Sequence, residues 1–162
     1  PNTDYILGDI TTQSEQLSNQ YDFVICHALL EWLPDPMATL LDMRALLKVN
    51  GKLSLSFFNH DAKVFANLLY ANFDYVERGF PSKNTVRLNP HNAQKPRDVI
   101  ALLNDTALFN VKQSRGIRCF HDYIIDKTRI DTQYQQLFDM EVKYSACEPY
   151  KWLGKYFHIM LE

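Results

Sequence analysis

One pair of segments narrows the fold more than any other feature of this sequence. Asp22-Phe23-Val24-Ile25-Cys26 and Lys52 to Phe58 are strand-like, and a helix-compatible stretch from about Met37 to Lys48 lies between them. Two strands joined through a helix of that length make a βαβ crossover, which is parallel and almost always right-handed. The unbroken apolar run from Phe23 to Cys26 suits a strand covered on both faces. The helix is punctuated at both ends. Pro34-Asp35-Pro36 breaks the chain before it, and Asn50-Gly51 offers a left-handed cap after it. Leu40, Met43 and Leu47 recur at helical spacing, with Leu41 beside them. The first third therefore reads as α/β.

The rest of the chain extends that pattern. Tyr5-Ile6-Leu7, stopped by Gly8-Asp9, reads as a short buried strand, and Thr11 to Gln20 as a polar surface connection. A helix from about Asp61 to Val76 carries Val64, Phe65, Leu68 and Leu69 on one face and ends at Gly79 and Pro81. Arg78, Lys83, Arg87, Lys95 and Arg97 then fall in a stretch without an acidic residue, which reads as a long loop. A helix from about Arg97 to Ala107, a strand over 110–115, a helix over 128–144 with Tyr134, Leu137 and Phe138 on one face, and a strand from Tyr156 to Leu161 follow. With 162 residues, 46% of them hydrophobic, and no repeat or linker, the expectation is a single domain.

Several functions are excluded at this level. A net charge of −2 provides no global polycation, so nucleic-acid binding requires a local patch such as the basic stretch. Cys26, Cys119 and Cys147 are far apart and odd in number, which argues against a disulfide framework or a cysteine-built zinc site and suits a cytoplasmic setting. The five histidines show no metal-ligand spacing, and no apolar run approaches the roughly 20 residues of a membrane-spanning helix. Neither a metal nor a membrane partner is expected. Oligomeric state is not legible.

Gly8-Asp9 at one strand end, Asp22 to Ile25 leading into His27, and Leu46-Leu47-Lys48-Val49-Asn50-Gly51-Lys52-Leu53 together resemble the class I S-adenosylmethionine-dependent methyltransferases. In the last element Val49 and Asn50 stand where that class usually has proline and glycine. Four further blocks, His27-Ala28-Leu29-Leu30-Glu31-Trp32, Asn72 to Val76, Gly116 to Tyr123 and Glu148-Pro149-Tyr150, resemble the tRNA 5-carboxymethoxyuridine methyltransferase family. The resemblance implies a Rossmann-like α/β fold, a mixed sheet with an antiparallel C-terminal strand, and a basic substrate-binding insertion at about 78–97. It implies S-adenosyl-L-methionine as cofactor, tRNA as partner, and methyl esterification of the carboxylate of 5-carboxymethoxyuridine at the wobble position. The five glycines are scattered, so the glycine-rich cofactor loop of that class is missing here, and the chain opens Pro1-Asn2-Thr3-Asp4. The fold is thus expected to be N-terminally incomplete, residues 1–162 being the C-terminal portion of one methyltransferase domain and inactive alone. Two alternatives remain: a methyltransferase acting on a small acid or other small molecule, and a truncated, non-catalytic RNA- or protein-binding domain.

Methyl transfer from a sulfonium to a carboxylate is an in-line displacement, and a carboxylate with a pKa of about 4 is already ionised at neutral pH. Positioning rather than acid–base chemistry is expected. By the resemblance Asp9, Ile10 and Thr11 contact the cofactor, although Asp9 equally suits a turn cap. His27, directly after a central strand, either faces the cofactor crevice or is a packed, hydrogen-bonded histidine. Trp32 either stacks on a base or anchors the next helix, and Glu31 beside it is equally ambiguous. Arg78, Lys83, Arg87, Lys95 and Arg97 are the RNA-binding candidates, with Phe73, Tyr75 and Phe80 just upstream; the alternative is a solvated loop. Arg118, His121 and Tyr123 either grip the substrate carboxylate, Arg118 bidentately, or form a helix-start network at the sheet edge.

Overall fold

The computed structural model of the chain describes residues 3–81 and 92–162. Its frame is a four-stranded sheet of β1 (Tyr21–His27), β2 (Leu47–Phe58), β3 (Val111–Ile117) and β4 (Tyr156–Leu161) in the order β1-β2-β4-β3. β1 and β2 are parallel, with Val24 opposite Leu53 and Cys26 opposite Leu55. β4 runs antiparallel to both β2 and β3, so the C-terminal strand fills the space between them. The crossover from β1 to β2 passes through helix α2 (Pro36–Leu46), and that from β2 to β3 includes α5 (Pro96–Thr106).

Local chemistry explains where α2 begins. Pro36 sits at its first turn, where the missing N–H would be orphaned in any case, and the Asp35 carboxylate accepts the Met37 and Ala38 amides at 3.1 Å each. Leu40 and Met43 then pack with Leu53, Leu55 and Phe57 of β2 and with Phe157, Ile159 and Leu161 of β4. Val99 and Leu103 of α5 join the same core with Phe109. Helix α1 (Ile10–Gln16) is tied to α2 through Asp42, which accepts from Thr11 Oγ1 at 2.8 Å and Ser14 Oγ at 3.1 Å.

Four expectations change. Tyr5-Ile6-Leu7 forms no strand: Tyr5 is 94% and Leu7 102% exposed, and among the described residues no strand pairs with this segment. β2 starts at Leu47, not Lys52, and the left-handed Asn50 (φ 63°) bulges that strand instead of capping the helix; the register against β1 jumps from Leu47 to Lys52 across it. The helix expected over 61–76 is two, α3 (His60–Leu69) and α4 (Phe73–Glu77), separated where Ala71 turns left-handed and Asn72 bonds back to Asn67. Phe65, Leu68 and Leu69 of that expected apolar face are exposed. The helix expected over 128–144 is likewise α6 (Thr128–Thr132) and α7 (Tyr134–Tyr144), its first part weakened by β-branched Thr128, Ile130 and Thr132.

Candidate functional site

The strand directions bring one set of ends together. β1, β2 and β3 finish at His27, Phe58 and Ile117, and antiparallel β4 starts beside them, with Tyr156 opposite both Phe58 and Ile117. In open α/β sheets ligands bind along this carboxyl edge. Asn59, Arg118 and Lys155 follow or precede these strands directly, so they share the edge with His27.

His27 is hydrogen-bonded across the sheet. Its Nε2 lies 2.8 Å from Ser54 Oγ, and the same hydroxyl lies 2.8 Å from His158 Nε2. A hydroxyl offers one hydrogen, so with both rings neutral it donates to one imidazole and accepts from the other, and the two histidines are opposite tautomers. Burial, then the nearby His27 and Arg115, holds the His158 pKa below its ordinary value. Cys26, one residue before His27, is no nucleophile: burial, and secondarily the Glu31 charge, pushes its thiol up to about 12. Glu31 is itself only 2% exposed, with Oε2 unpartnered, whereas Trp32 is 41% exposed and does not serve as a buried anchor.

Arg118 and His121 come together. Arg118 adopts a left-handed backbone (φ 60°), and its Nη2 donates to Asp122 Oδ1 at 2.5 Å and lies 3.1 Å from His121 Nδ1. Its Nε is buried without a partner. Both residues line a hollow of about 470 Å³ whose apolar wall is Leu137, Phe138 and Val142 of α7. Tyr123 does not join them: its hydroxyl donates to the Leu153 carbonyl at 2.8 Å, and burial raises its pKa to about 12.

Two residues that carried no signal in the sequence hold this edge in shape. The fully buried Asn59 side chain accepts the Asp61 amide at 2.9 Å, capping α3, and donates to the Trp152 and Gly154 carbonyls at 2.8 and 2.9 Å. The Glu141 carboxylate accepts three successive amides, from Cys119 at 2.7 Å, Phe120 at 2.8 Å and His121 at 2.9 Å. Only the Asn59 cap of α3 is local; the other partners of Asn59 and those of Glu141 lie roughly 20 to 95 positions away, beyond any short motif.

A methyltransferase-domain family model matches residues 1–55. The tRNA 5-carboxymethoxyuridine methyltransferases of Escherichia coli K12 and O157:H7 are each 34% identical to the chain over 146 residues, 90% of this chain and 56% of theirs. The chain has the Rossmann-like fold of the class I methyltransferases. A ubiquinone biosynthesis O-methyltransferase of Proteus mirabilis is 25% identical over 78% of this chain and 49% of its own. The fold agrees with a crystal structure of an S-adenosylmethionine-dependent methyltransferase from Archaeoglobus fulgidus, with TM-score 0.51, 12% identity, and coverage of 96% of this chain and 66% of that one. The chain spans about half the length of the curated relatives it matches.

The remaining expected site residues fall into separate places. Asp9 caps α1 through the Thr11 amide at 2.9 Å, which engages one carboxylate oxygen. Ile10 lines an apolar hollow of about 420 Å³ with Phe23, Ile25 and Leu29. Of the three residues expected at the cofactor only Ile10 lines that hollow; Asp9 caps the helix and Thr11 Oγ1 bonds to Asp42. Arg78 lies on a separate hollow with Phe73 and Tyr75, whereas the Arg97 guanidinium covers the Trp152 ring at 4.7 Å. Lys95 immediately precedes α5, and Lys83 and Arg87 lie outside the described residues. Among the described residues no helix is long and apolar enough to cross a membrane, and no cluster of His, Cys, Asp or Glu is placed to hold a metal ion.

Proposed function

We propose that the intact protein methylates the carboxylate of 5-carboxymethoxyuridine at the wobble position of tRNA, forming the methyl ester with S-adenosylmethionine as donor. The observation that carries this reading is the 34% identity, sustained across 90% of the chain, to enzymes named for that activity. The donor supplies an electrophilic methyl on a sulfonium, so the chain's own residues are needed to bind and align. Ile10 and Leu29 offer an apolar wall for the adenosine part. The half-exposed Arg118 guanidinium lies on the hollow as a cation for a substrate carboxylate, with Asp122 and His121 fixing its Nη2. The α7 wall excludes water from one side, which strengthens that ion pair.

The experiment incubates the intact protein with S-adenosylmethionine and tRNA carrying 5-carboxymethoxyuridine, followed by nucleoside mass analysis. A methyl ester at that nucleoside is expected, and Arg118→Lys, which keeps the charge but loses the planar fork, lowers its yield at least tenfold. Absence of the ester with any tRNA overturns the reading. Methylation of a free small acid in its place supports the small-molecule alternative.

A further inference from the structure

On the far side of Asp122 from the Arg118 hollow lies a second, smaller cavity of about 300 Å³, enclosed by α3, the turn after β3 and the residue before β4. Lys63, Lys127 and Lys155 line it, with Tyr70, Tyr123 and Asp122. The single acid is already engaged, since Asp122 Oδ1 receives Arg118 Nη2 at 2.5 Å and has Lys155 Nζ at 3.6 Å. Among the described residues neither Lys63 nor Lys127 has a carboxylate within 4.0 Å. The Lys63 ammonium instead sits 4.3 Å from the Phe80 ring centroid, and Lys127 donates to the Asp122 carbonyl at 3.1 Å. Burial lowers the Lys63 pKa, the mark of an ammonium removed from water without a counter-charge.

Three lysines around a pocket of this size are a different device from Arg118. A guanidinium fork matches the planar carboxylate, whereas ammonium groups converging from several elements match an anion whose oxygens point in several directions. We propose that the cavity ringed by Lys63, Lys127 and Lys155 binds a backbone phosphate of the RNA substrate, holding the strand while Arg118, across Asp122, receives the carboxylate. This inference rests on the tRNA reading above and adds a contact outside the basic 78–97 stretch.

The test measures tRNA affinity of the intact protein against salt concentration. For Lys63→Gln and for the Lys63→Gln/Lys127→Gln pair, the slope of log affinity against log salt becomes shallower by about 0.7 for each lysine removed, the single-strand value per phosphate contact. Lys63→Arg keeps the slope, and S-adenosylmethionine affinity and thermal midpoint of the variants stay at the wild-type values. Unchanged slopes in folded variants overturn the phosphate site while leaving the tRNA reading intact. The same titrations with tRNA bearing plain uridine separate the two oxyanion sources: an equal lysine effect supports the phosphate, and an effect confined to the carboxylated tRNA overturns it in favour of the carboxylate. Wild-type protein that binds no tRNA overturns the reading and the phosphate site with it.

Discussion

The two faces of the sheet are built from alternate residues of the same strands, yet they are held by different physics. One face presents Leu53, Leu55, Phe57, Phe157, Ile159 and Leu161, all without solvent exposure, against α2 and α5. The other presents Ser54 and Ser56 at its centre, the His27 to His158 hydrogen-bonded chain across it, and the exposed Phe23 and Ile25 at the β1 edge. The first face is stabilised by area removed from water and tolerates no loss of volume. The second is specified by a few directional bonds, so single atoms matter there more than volume. What the contrast teaches is a division of labour: packing on one face sets the strands, and polar bonds at their carboxyl ends set the side chains that meet ligands.

Four measurements break or sharpen that contrast. The largest effect is expected at Phe57→Ala, which leaves a cavity in the packed face and costs about 3–5 kcal/mol in denaturant unfolding, against less than about 1 kcal/mol for Ser56→Ala one residue away. Equal costs at the two positions would erase the distinction between the faces. Next comes Asn59→Ala at the carboxyl edge. It strips the cap of α3 and leaves the Trp152 and Gly154 carbonyls unpaired, a loss of about 2–4 kcal/mol by the same assay.

Glu141→Gln ranks third, at about 1–3 kcal/mol, because an amide oxygen replaces a carboxylate that accepts three backbone amides. Hydrogen exchange should quicken at Cys119, Phe120 and His121 specifically; uniform quickening across the sheet would show that the carboxylate does not act locally. The smallest effect is a pH dependence. The fold lowers the His158 pKa, so the unfolded chain binds the extra proton first, and this contribution to stability is complete above the ordinary value of 6.5 and lost as pH falls from there through the lower folded value. The slope of stability between pH 7 and 5 should flatten in His158→Gln, and an unchanged slope would remove His158 from the account.

How much of this was legible in the sequence differs between the same two regions. The packed face was readable because periodicity is local: the Leu40 and Met43 spacing and the alternation from Tyr156 to Leu161 each declare their element without knowing its partner, whereas Phe23 to Cys26, expected to be covered on both faces, is a strand with Phe23 46% and Ile25 64% exposed. Where the reading failed, a partner was needed. Tyr5-Ile6-Leu7 has strand composition but, among the described residues, no strand beside it, and the Asn50-Gly51 pair bulges a strand in place of capping a helix. Arg118, His121 and Tyr123 were visible as a cluster, yet only Arg118 and His121 meet, with Asp122 as the third member and Tyr123 bonded elsewhere.

The sequence by itself determined the βαβ start, the antiparallel last strand and the methyltransferase resemblance, since each rests on residues close in the chain or on blocks in a fixed order. Only the tertiary structure decided which charges face one another. Glu141 beneath the Cys119 to His121 amides, Asn59 against Gly154, and Lys63 with Lys127 and Lys155 around one cavity are pairings across tens of residues. Coulomb and hydrogen-bond energies depend on separation in space, and that separation does not exist until the sheet has brought the strand ends to one edge.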